Sequence, residues 1–499
     1  MSEPRNNGPE PAPRRRWLVA GPLLFIIILL APTPEGLSAA GSTTLALALW
    51  MAVWWLSLAV PLPVTALLPL VLLPVLGVAP ARAAAAPYAN PVIFLFMGGF
   101  FIAAAMQRWS LHRRMALGIV ARTGTSPRRL VAGFMLASGA LSMWMSNTAA
   151  VLLMMPIGAA VLGTLYVASP ERRAESDGLA ERNLRCALML GIAYAGSIGG
   201  VATLIGTPPN AVLAAVAGEL LDVEVSFARW LAVGLPLSAG MLIFCWALLC
   251  LKLFPLSAKP LPRATELLGE ERARMRGWHP AERVTAMVFA ATAVAWIFRA
   301  PKQIGEVTLP GIQSLLPEVG DATIAMAAAL VLFTWPTRDE AGGLTTVLDW
   351  RHASAIPWDI LVLFGGGLSL AFAFETSGLT MWLGGKLTVL AGFSDILVIA
   401  SVATLFVFVT EVTSNTATAT LGLPVVAALG PAVGVQPLAL MAAAAMGASM
   451  AFMLPVATPP NAIVFSTGYI QARDMIRAGW WLNLGAIVAI TTAVSLGFR

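Results

Sequence analysis

Two short polar clusters interrupt an otherwise apolar chain, and each occurs twice. Ser146-Asn147-Thr148-Ala149 recurs 268 positions later as Ser414-Asn415-Thr416-Ala417, and Pro156 matches Pro424 at the same offset. Four residues before each triplet stands a hydroxyl, Ser142 in one half and Thr410 in the other. Farther along, Thr207-Pro208-Pro209-Asn210-Ala211 recurs as Thr458-Pro459-Pro460-Asn461-Ala462. Upstream, Phe96-Met97-Gly98-Gly99 resembles Leu363-Phe364-Gly365-Gly366. Chance supplies one three-residue match in a long chain, but not an ordered set at similar spacing.

These residue types suit the binding of small ions. Two consecutive prolines remove two backbone donors and break a helix. The break frees carbonyls, such as those of Gly206 and Ala457, to face a cation. Where a helix begins, unpaired N–H groups and the positive end of its dipole favour an anion. Ser, Asn and Thr at such a tip add neutral donors and acceptors, and their oxygens also suit a hard monovalent cation. Each half thus offers one cation site, triplet against break, with an anion between the two triplets. An isolated Ser-Asn-Thr in a membrane helix commonly does no more than bond to backbone; the paired recurrence argues against that here.

The elements that must position these residues are membrane helices. Of 499 residues, 58% are hydrophobic and 11% charged, against about 25% charged in a soluble globular chain. Runs such as Leu18–Leu30 and Leu361–Phe374 contain no ionised group. Spans are expected near 17–31, 42–60, 61–79, 90–107, 184–221, 229–251, 284–299, 322–336, 358–380, 437–467 and 479–497, about 11 crossings in all. The stretches 130–165 and 394–430, interrupted at the triplets, are expected to be re-entrant hairpins. The spans 184–221 and 437–467 are broken at the Pro-Pro motifs. Irregular backbone survives at that depth only where protein or a wet cavity satisfies it.

Charge supports this topology. With the N-terminus in the cytoplasm and both interrupted stretches returning to the side they entered, 25 of the 31 Lys and Arg fall on the cytoplasmic side, as the positive-inside rule requires. A single crossing at either stretch would degrade that sorting. The two halves then have opposite orientations, which is the inverted repeat of secondary transporters. Arg108–Arg129 holds six Arg and no acid and is expected to lie along the cytoplasmic interface as an amphipathic helix. The net charge of +6 is a topology signal rather than a nucleic-acid footprint. Cys186, Cys245 and Cys250 are expected as small buried residues. His112, His279 and His352 flank the spans, so no metal cluster is expected. Glu411, inside the second interrupted stretch beside Thr410, is a functional candidate as an acid at membrane depth, or equally a buried acceptor that orders the hairpin.

At these motifs the chain resembles the divalent anion/sodium symporter family, whose members carry dicarboxylates, citrate or sulfate. The double Ser-Asn-Thr signature and the run Met453-Leu454-Pro455-Val456-Ala457-Thr458-Pro459-Pro460-Asn461-Ala462 carry the resemblance, which spans roughly 17–497. It implies an elevator-type transporter, all-α and polytopic, usually a homodimer in the cell inner membrane with its C-terminus outside. A cytoplasmic tail (1–16) would precede a first scaffold segment (17–107). An interfacial helix (108–125) and a first transport segment (126–251) would follow. A cytoplasmic loop (252–283) would lead to a second scaffold segment (284–380) and a second transport segment (394–497). Ser142, Ser146, Asn147 and the Gly206 carbonyl would bind one sodium ion, and Thr410, Ser414, Asn415 and the Ala457 carbonyl a second. Asn147, Thr148, Thr207, Asn415, Thr416, Thr458 and Pro459 would meet the substrate.

The expected function is import of small divalent anions, above all four-carbon dicarboxylates such as succinate, coupled to entry of two or more sodium ions. The alternatives are a sodium-independent dicarboxylate exchanger and a sulfate or citrate carrier on the same scaffold. An intramembrane enzyme is disfavoured, because the hydroxyls in the spans lack a histidine partner and no His-Glu-x-x-His occurs. An ATP-driven pump is disfavoured by the lack of a Gly-x4-Gly-Lys-Ser/Thr loop.

Overall fold

Proline and hydropathy set where the helices of this chain start and stop. The computed structural model describes residues 15–166, 175–259, 277–304, 307–339, 342–388 and 392–498, with isolated positions from 269 to 275. The expected N-terminal tail up to residue 14 and much of the 252–283 loop lie outside the described residues. Among the described residues seven helices are long and apolar enough to cross a membrane: Ala39–Ser57, Ala81–Arg108, Gly178–Val201, Phe227–Leu253, Trp358–Thr376, Asn415–Val433 and Ala472–Gly497. Six shorter apolar helical segments accompany them, Arg16–Leu30, Leu62–Val75, Asn147–Gly163, Asp321–Thr334, Asp395–Val409 and Pro437–Gly447. A further helix covers Pro280–Ile297.

The expected span 61–79 is two short helices, Leu62–Thr65 and Leu68–Val75, each with a proline in its first turn. Pro61, Pro63 and Pro69 remove donors from a continuous ladder, so the segment divides. The basic stretch after residue 108 forms the helix Leu111–Thr123. Two antiparallel ribbons, Lys302–Ile304 with Val307–Leu309 and Pro336–Arg338 with Leu344–Thr346, add the strands that an all-helical reading did not anticipate. Both lie in polar connections between helices. Arg108 ties the second ribbon to its helix end, donating to the Thr346 carbonyl at 2.9 Å and pairing with Asp349 at 3.1 Å.

Both interrupted stretches break at their triplets. Pro127–Ser142 is followed by Asn147–Tyr166, and Asp395–Val409 by Asn415–Val433. Both Pro-Pro motifs likewise start a helix after an unwound stretch, Pro208–Leu221 after Glu175–Val201 and Pro459–Ser466 after Pro437–Gly447. Thr207 and Thr458 adopt nearly the same extended backbone, φ −143°, ψ 143° and φ −141°, ψ 151°. The freed carbonyls do not stay bare. Asn210 donates its amide N–H to the carbonyls of Thr203, Val201 and Gly200 at 2.8, 3.3 and 3.4 Å. Asn461 serves Leu454 and Ala451 at 3.0 and 3.2 Å. The motif asparagines are thus the internal caps that let a buried helix break.

The helices from 127–253 and 395–497 pack into one bundle through contacts such as Pro127–Ser142 with Glu175–Val201 and Phe227–Ala247 with Ala472–Gly497. Its apolar cluster continues into Pro91–Arg108, Pro280–Ile297 and Asp321–Thr334. A second cluster joins the helices before residue 80 to Trp358–Thr376. Cys186, Cys245 and Cys250 are buried free thiols. The last helix approaches the second break closely: a Cβ on Gly479 would lie 2.5 Å from the nitrogen of Met453 and from the carbonyl carbon of Phe452. Gly479→Ala is therefore expected to cost about 1–3 kcal/mol through overpacking and to lower the thermal midpoint of the detergent-solubilised protein by several degrees. Gly163→Ala, where the added carbon meets nothing within 4 Å, is expected to leave the midpoint unchanged or raise it.

Candidate functional site

Four helix starts meet at one cavity. The first residues of Asn147–Tyr166, Pro208–Leu221, Asn415–Val433 and Pro459–Ser466 line a space of about 510 Å³. Every residue expected to meet substrate, namely Asn147, Thr148, Thr207, Asn415, Thr416, Thr458 and Pro459, is on its wall. Ser146, Ser414, Gly206 and Ala457 line it as well. The first-turn N–H groups of a helix have no partner within the helix, and the helices that begin at Asn147 and Asn415 bring theirs here; those that begin with Pro208-Pro209 and Pro459-Pro460 lack them at these positions and contribute the positive end of their dipoles. Among the described residues the hydroxyls of Thr148, Thr207 and Thr416 have no hydrogen-bond partner, whereas Thr458 caps its own helix by accepting from the Asn461 N–H at 3.3 Å. No Lys, Arg, His, Asp or Glu is on the wall among the described residues. Such a site is complementary to an anion by dipoles and neutral donors alone.

Behind each triplet lies a tight group of oxygens. Ser142 is fully buried, with its hydroxyl 2.6 Å from the Asn147 side-chain amide. The same amide position is 3.2 Å from the Gly206 carbonyl and 3.3 Å from that of Gly196, and the amide nitrogen placed there donates to all three oxygens. Turned the other way, the amide would set its own oxygen among them, an arrangement that a cation in the group would favour. In the second half, Thr410, also fully buried, contacts Asn415 Oδ1 at 2.7 Å and the Ala448 carbonyl at 2.8 Å. Thr410 has one proton for two acceptors, so this group has more lone pairs than protons. The donor sets, neutral hydroxyl, amide and carbonyl oxygens, fit a hard monovalent cation.

The first group is held by close backbone approach. A Cβ on Gly206 would collide with the Gly200 carbonyl and come within 2.9 Å of the Ser142 carbonyl, and one on Gly200 would strike the Asn147 amide. Thr203 adds a hydroxyl bond to the Met143 carbonyl at 2.5 Å. The second group is braced differently. Glu411, 4% exposed, accepts from the Phe452 N–H at 2.7 Å, the Met453 N–H at 3.0 Å to both oxygens, the Leu454 N–H at 3.2 Å and the Asn483 amide at 2.8 Å.

The sequence did not reveal the Gly196 and Ala448 carbonyls, which join Asn147 and Thr410; backbone oxygens leave no mark on residue type. Ala457 lines the cavity, while the oxygen in contact with Thr410 is that of Ala448. The apolar side of the cavity was missed too. It includes Leu56, Leu58, Leu62, Phe96, Phe100 and Ile360, with Ile205, Val412 and Val456 beside the motifs. A larger space of about 1120 Å³ abuts the site, sharing Phe100, Ser146 and Thr148, and is lined farther out by Arg108, Arg351 and His352.

Comparison with known proteins shows the family of the chain. The family model for the sodium:sulfate symporter transmembrane region matches residues 15–497. The sodium-dependent dicarboxylate transporter SdcS of Staphylococcus saprophyticus is 42% identical over 477 residues, covering 96% of this chain and 90% of that protein. The protein of the same name from Staphylococcus aureus (strain USA300) is 40% identical over 494 residues, covering 99% and 93%. Among solved structures, the Alcanivorax borkumensis YdaH transporter, described as having an unusual topology, covers 82% of this chain and 86% of its own at a TM-score of 0.52; at 16% identity this is a likeness of fold alone. The relatives are transporters rather than enzymes, and this chain is an integral membrane protein that belongs to the sodium:sulfate symporter family.

Proposed function

We propose that the chain imports small dicarboxylates, foremost four-carbon ones such as succinate, and couples that import to the entry of two or more sodium ions. One observation carries this reading: a cavity lined by four helix starts and by unpaired hydroxyls, with an oxygen group behind each triplet. Sodium among Ser142, Ser146, Asn147 and the carbonyls of Gly206 and Gly196 leaves the Asn147 amide nitrogen for the cavity, where it donates to a carboxylate. Without the cation, the amide turns its nitrogen inward onto those three oxygens and presents its oxygen to the cavity, which repels an anion. Thr410, Ser414 and Asn415, with the carbonyls of Ala457 and Ala448, do the same in the second half. Coupling thus follows from one side chain having a donor end and an acceptor end.

The apolar flank favours dicarboxylates over sulfate. Leu56, Leu58, Leu62, Phe96 and Phe100 border the donors, and a methylene chain has apolar surface to bury against them, whereas sulfate has none. The names of the two staphylococcal relatives agree with that preference. The flank also supports an elevator. The polar wall comes from 126–251 and 394–497, the apolar wall mostly from 17–107 and 284–380, so at the cavity the first unit can slide without breaking directional bonds, while away from it the Phe227 N–H to Asp321 bond and the Arg299–Glu224 pair would have to open. The inverted arrangement of the halves, the cytoplasmic N-terminus, the outside C-terminus and a homodimer joined through the scaffold complete the proposal. In that orientation the space lined by Arg108 and Arg351 opens to the cytoplasm.

In proteoliposomes, labelled succinate uptake is expected to require an inward sodium gradient and to be competed by malate more effectively than by sulfate. Uptake unaffected by replacing sodium with choline on both sides would identify an exchanger instead. Asn147→Ala and Asn415→Ala are each expected to weaken substrate affinity about 10- to 100-fold, the value of a hydrogen bond to a charged partner. The glycine contrast gives a further expectation. Gly206→Ala, which has no space for its Cβ, is expected to raise the sodium concentration for half-maximal uptake severalfold, and Ala457→Gly in the other half to leave it near the wild-type value.

A further inference from the structure

Among the described residues Glu411 accepts from more donors than any other acid. Five N–H contacts from four donors converge on its two oxygens. Every partner is a donor, so a proton on either oxygen would point at an N–H rather than at an acceptor. No Lys, Arg or His pairs with it among the described residues. An ionised carboxylate in this position has donors to satisfy its lone pairs but no opposite charge to neutralise it.

The first half joins the equivalent positions without any charge. Offsets of 268 for the triplets and 251 for the Pro-Pro motifs make Met143 the counterpart of Glu411 and Thr203 that of Leu454. The Thr203 hydroxyl donates to the Met143 carbonyl, while the Glu411 carboxylate accepts from the Leu454 N–H. The same two places are tied in both halves, by a neutral bond in one and by a charge in the other. A tie between these two places therefore does not need an acid; the acid also satisfies three successive backbone N–H groups and adds a charge. That charge stands one residue from Thr410, whose hydroxyl belongs to the second oxygen group.

We propose that Glu411 is the positioning residue and counter-charge of the second-half cation site, so that this site takes sodium ahead of the first-half site, which has no such charge. The inference rests on the cation sites described under Proposed function. It gives the two halves different tasks: the second binds the first cation, and the first responds to the accumulated charge and to substrate.

The test uses the full-length protein in detergent without substrate, with sodium chloride exchanged for choline chloride at constant ionic strength. The thermal midpoint reports binding to the folded state. Glu411→Gln is expected to raise the sodium concentration for half-maximal stabilisation roughly tenfold or more, the scale of removing a nearby unit charge. Glu411→Asp keeps the charge and is expected to stay within about threefold of wild type on the same scale, even where its midpoint in choline falls. A purely structural brace would lower the choline midpoint in both variants and leave the sodium half-saturation unchanged, which overturns the proposal. Loss of sodium affinity in Glu411→Asp, despite its retained charge, also overturns the proposal, and this arm stays open should Glu411→Gln fail to fold. Thr410→Ala separates this inference from its premise. If that variant binds sodium as the wild type does, the cation-site reading fails; if it is weakened while Glu411→Gln is not, Glu411 alone has been misassigned.

Discussion

Backbone polar groups inside a membrane must be bonded within the protein, and this architecture depends on how that requirement is met at two breaks. Asn210 and Asn461, each fully buried, cover the carbonyls that the unwound stretches release. Trp230 adds an indole N–H to the Val201 carbonyl at 2.9 Å. Because these side chains satisfy the ends of the preceding helices, the starts of the following ones are left open toward the cavity. The site is thus a by-product of satisfied breaks, and its hydroxyl and amide side chains are held at the rigid starts of helices. Removing either asparagine would leave buried carbonyls unpaired long before any substrate contact was lost.

The two halves reach this result by different chemistry. The first packs its oxygen group through glycines, with Gly199, Gly200 and Gly206 allowing backbone to approach backbone. The second has Met450, Ala451 and Ala457 at the corresponding places and relies on Glu411 to hold residues 452–454. Sequence similarity between the halves therefore survives at the residues facing the cavity and fades in the residues supporting them. A tight first half and a braced second half need not respond to a cation in the same way, which is why equal motifs do not imply equal affinities.

What could be read from the chain beforehand was whatever side chains encode. The Ser-Asn-Thr and Thr-Pro-Pro-Asn clusters gave the breaks, the cavity wall and the two oxygen groups, since hydroxyls, amides and prolines act through their own atoms. The Gly196 and Ala448 carbonyls had no such mark. The partners of Glu411 were hidden for the same reason, being three successive backbone N–H groups and the distant Asn483. Hydropathy placed most helices but read 61–79 as one span, because it does not register the donors that Pro63 and Pro69 remove. The apolar wall was invisible for another reason: Leu56, Phe96 and Phe100 resemble any lipid-facing or core residue until the fold sets them against the triplets.

A cavity without fixed charge explains why cations and anion would travel together under the proposed function. Taking a dianion out of water costs several kcal/mol per charge even after relaxation, and dipoles at helix starts recover only part of it, about 0.3–1 kcal/mol each in exposed settings and up to about 2 when partly buried. A lysine or arginine on the wall would make up the difference permanently, and the anion would then bind whether or not sodium was present. Leaving the wall neutral transfers that task to the cations, so the occupied site approaches neutrality only when both are bound. The permanent positive charges instead lie farther out, where Arg351 is exposed and Arg108 is already engaged by Asp349. Asp359 shares that outer space with them, so it too is close to balanced in charge. Weak binding that is conditional on the cations is what reversible transport requires of the cavity.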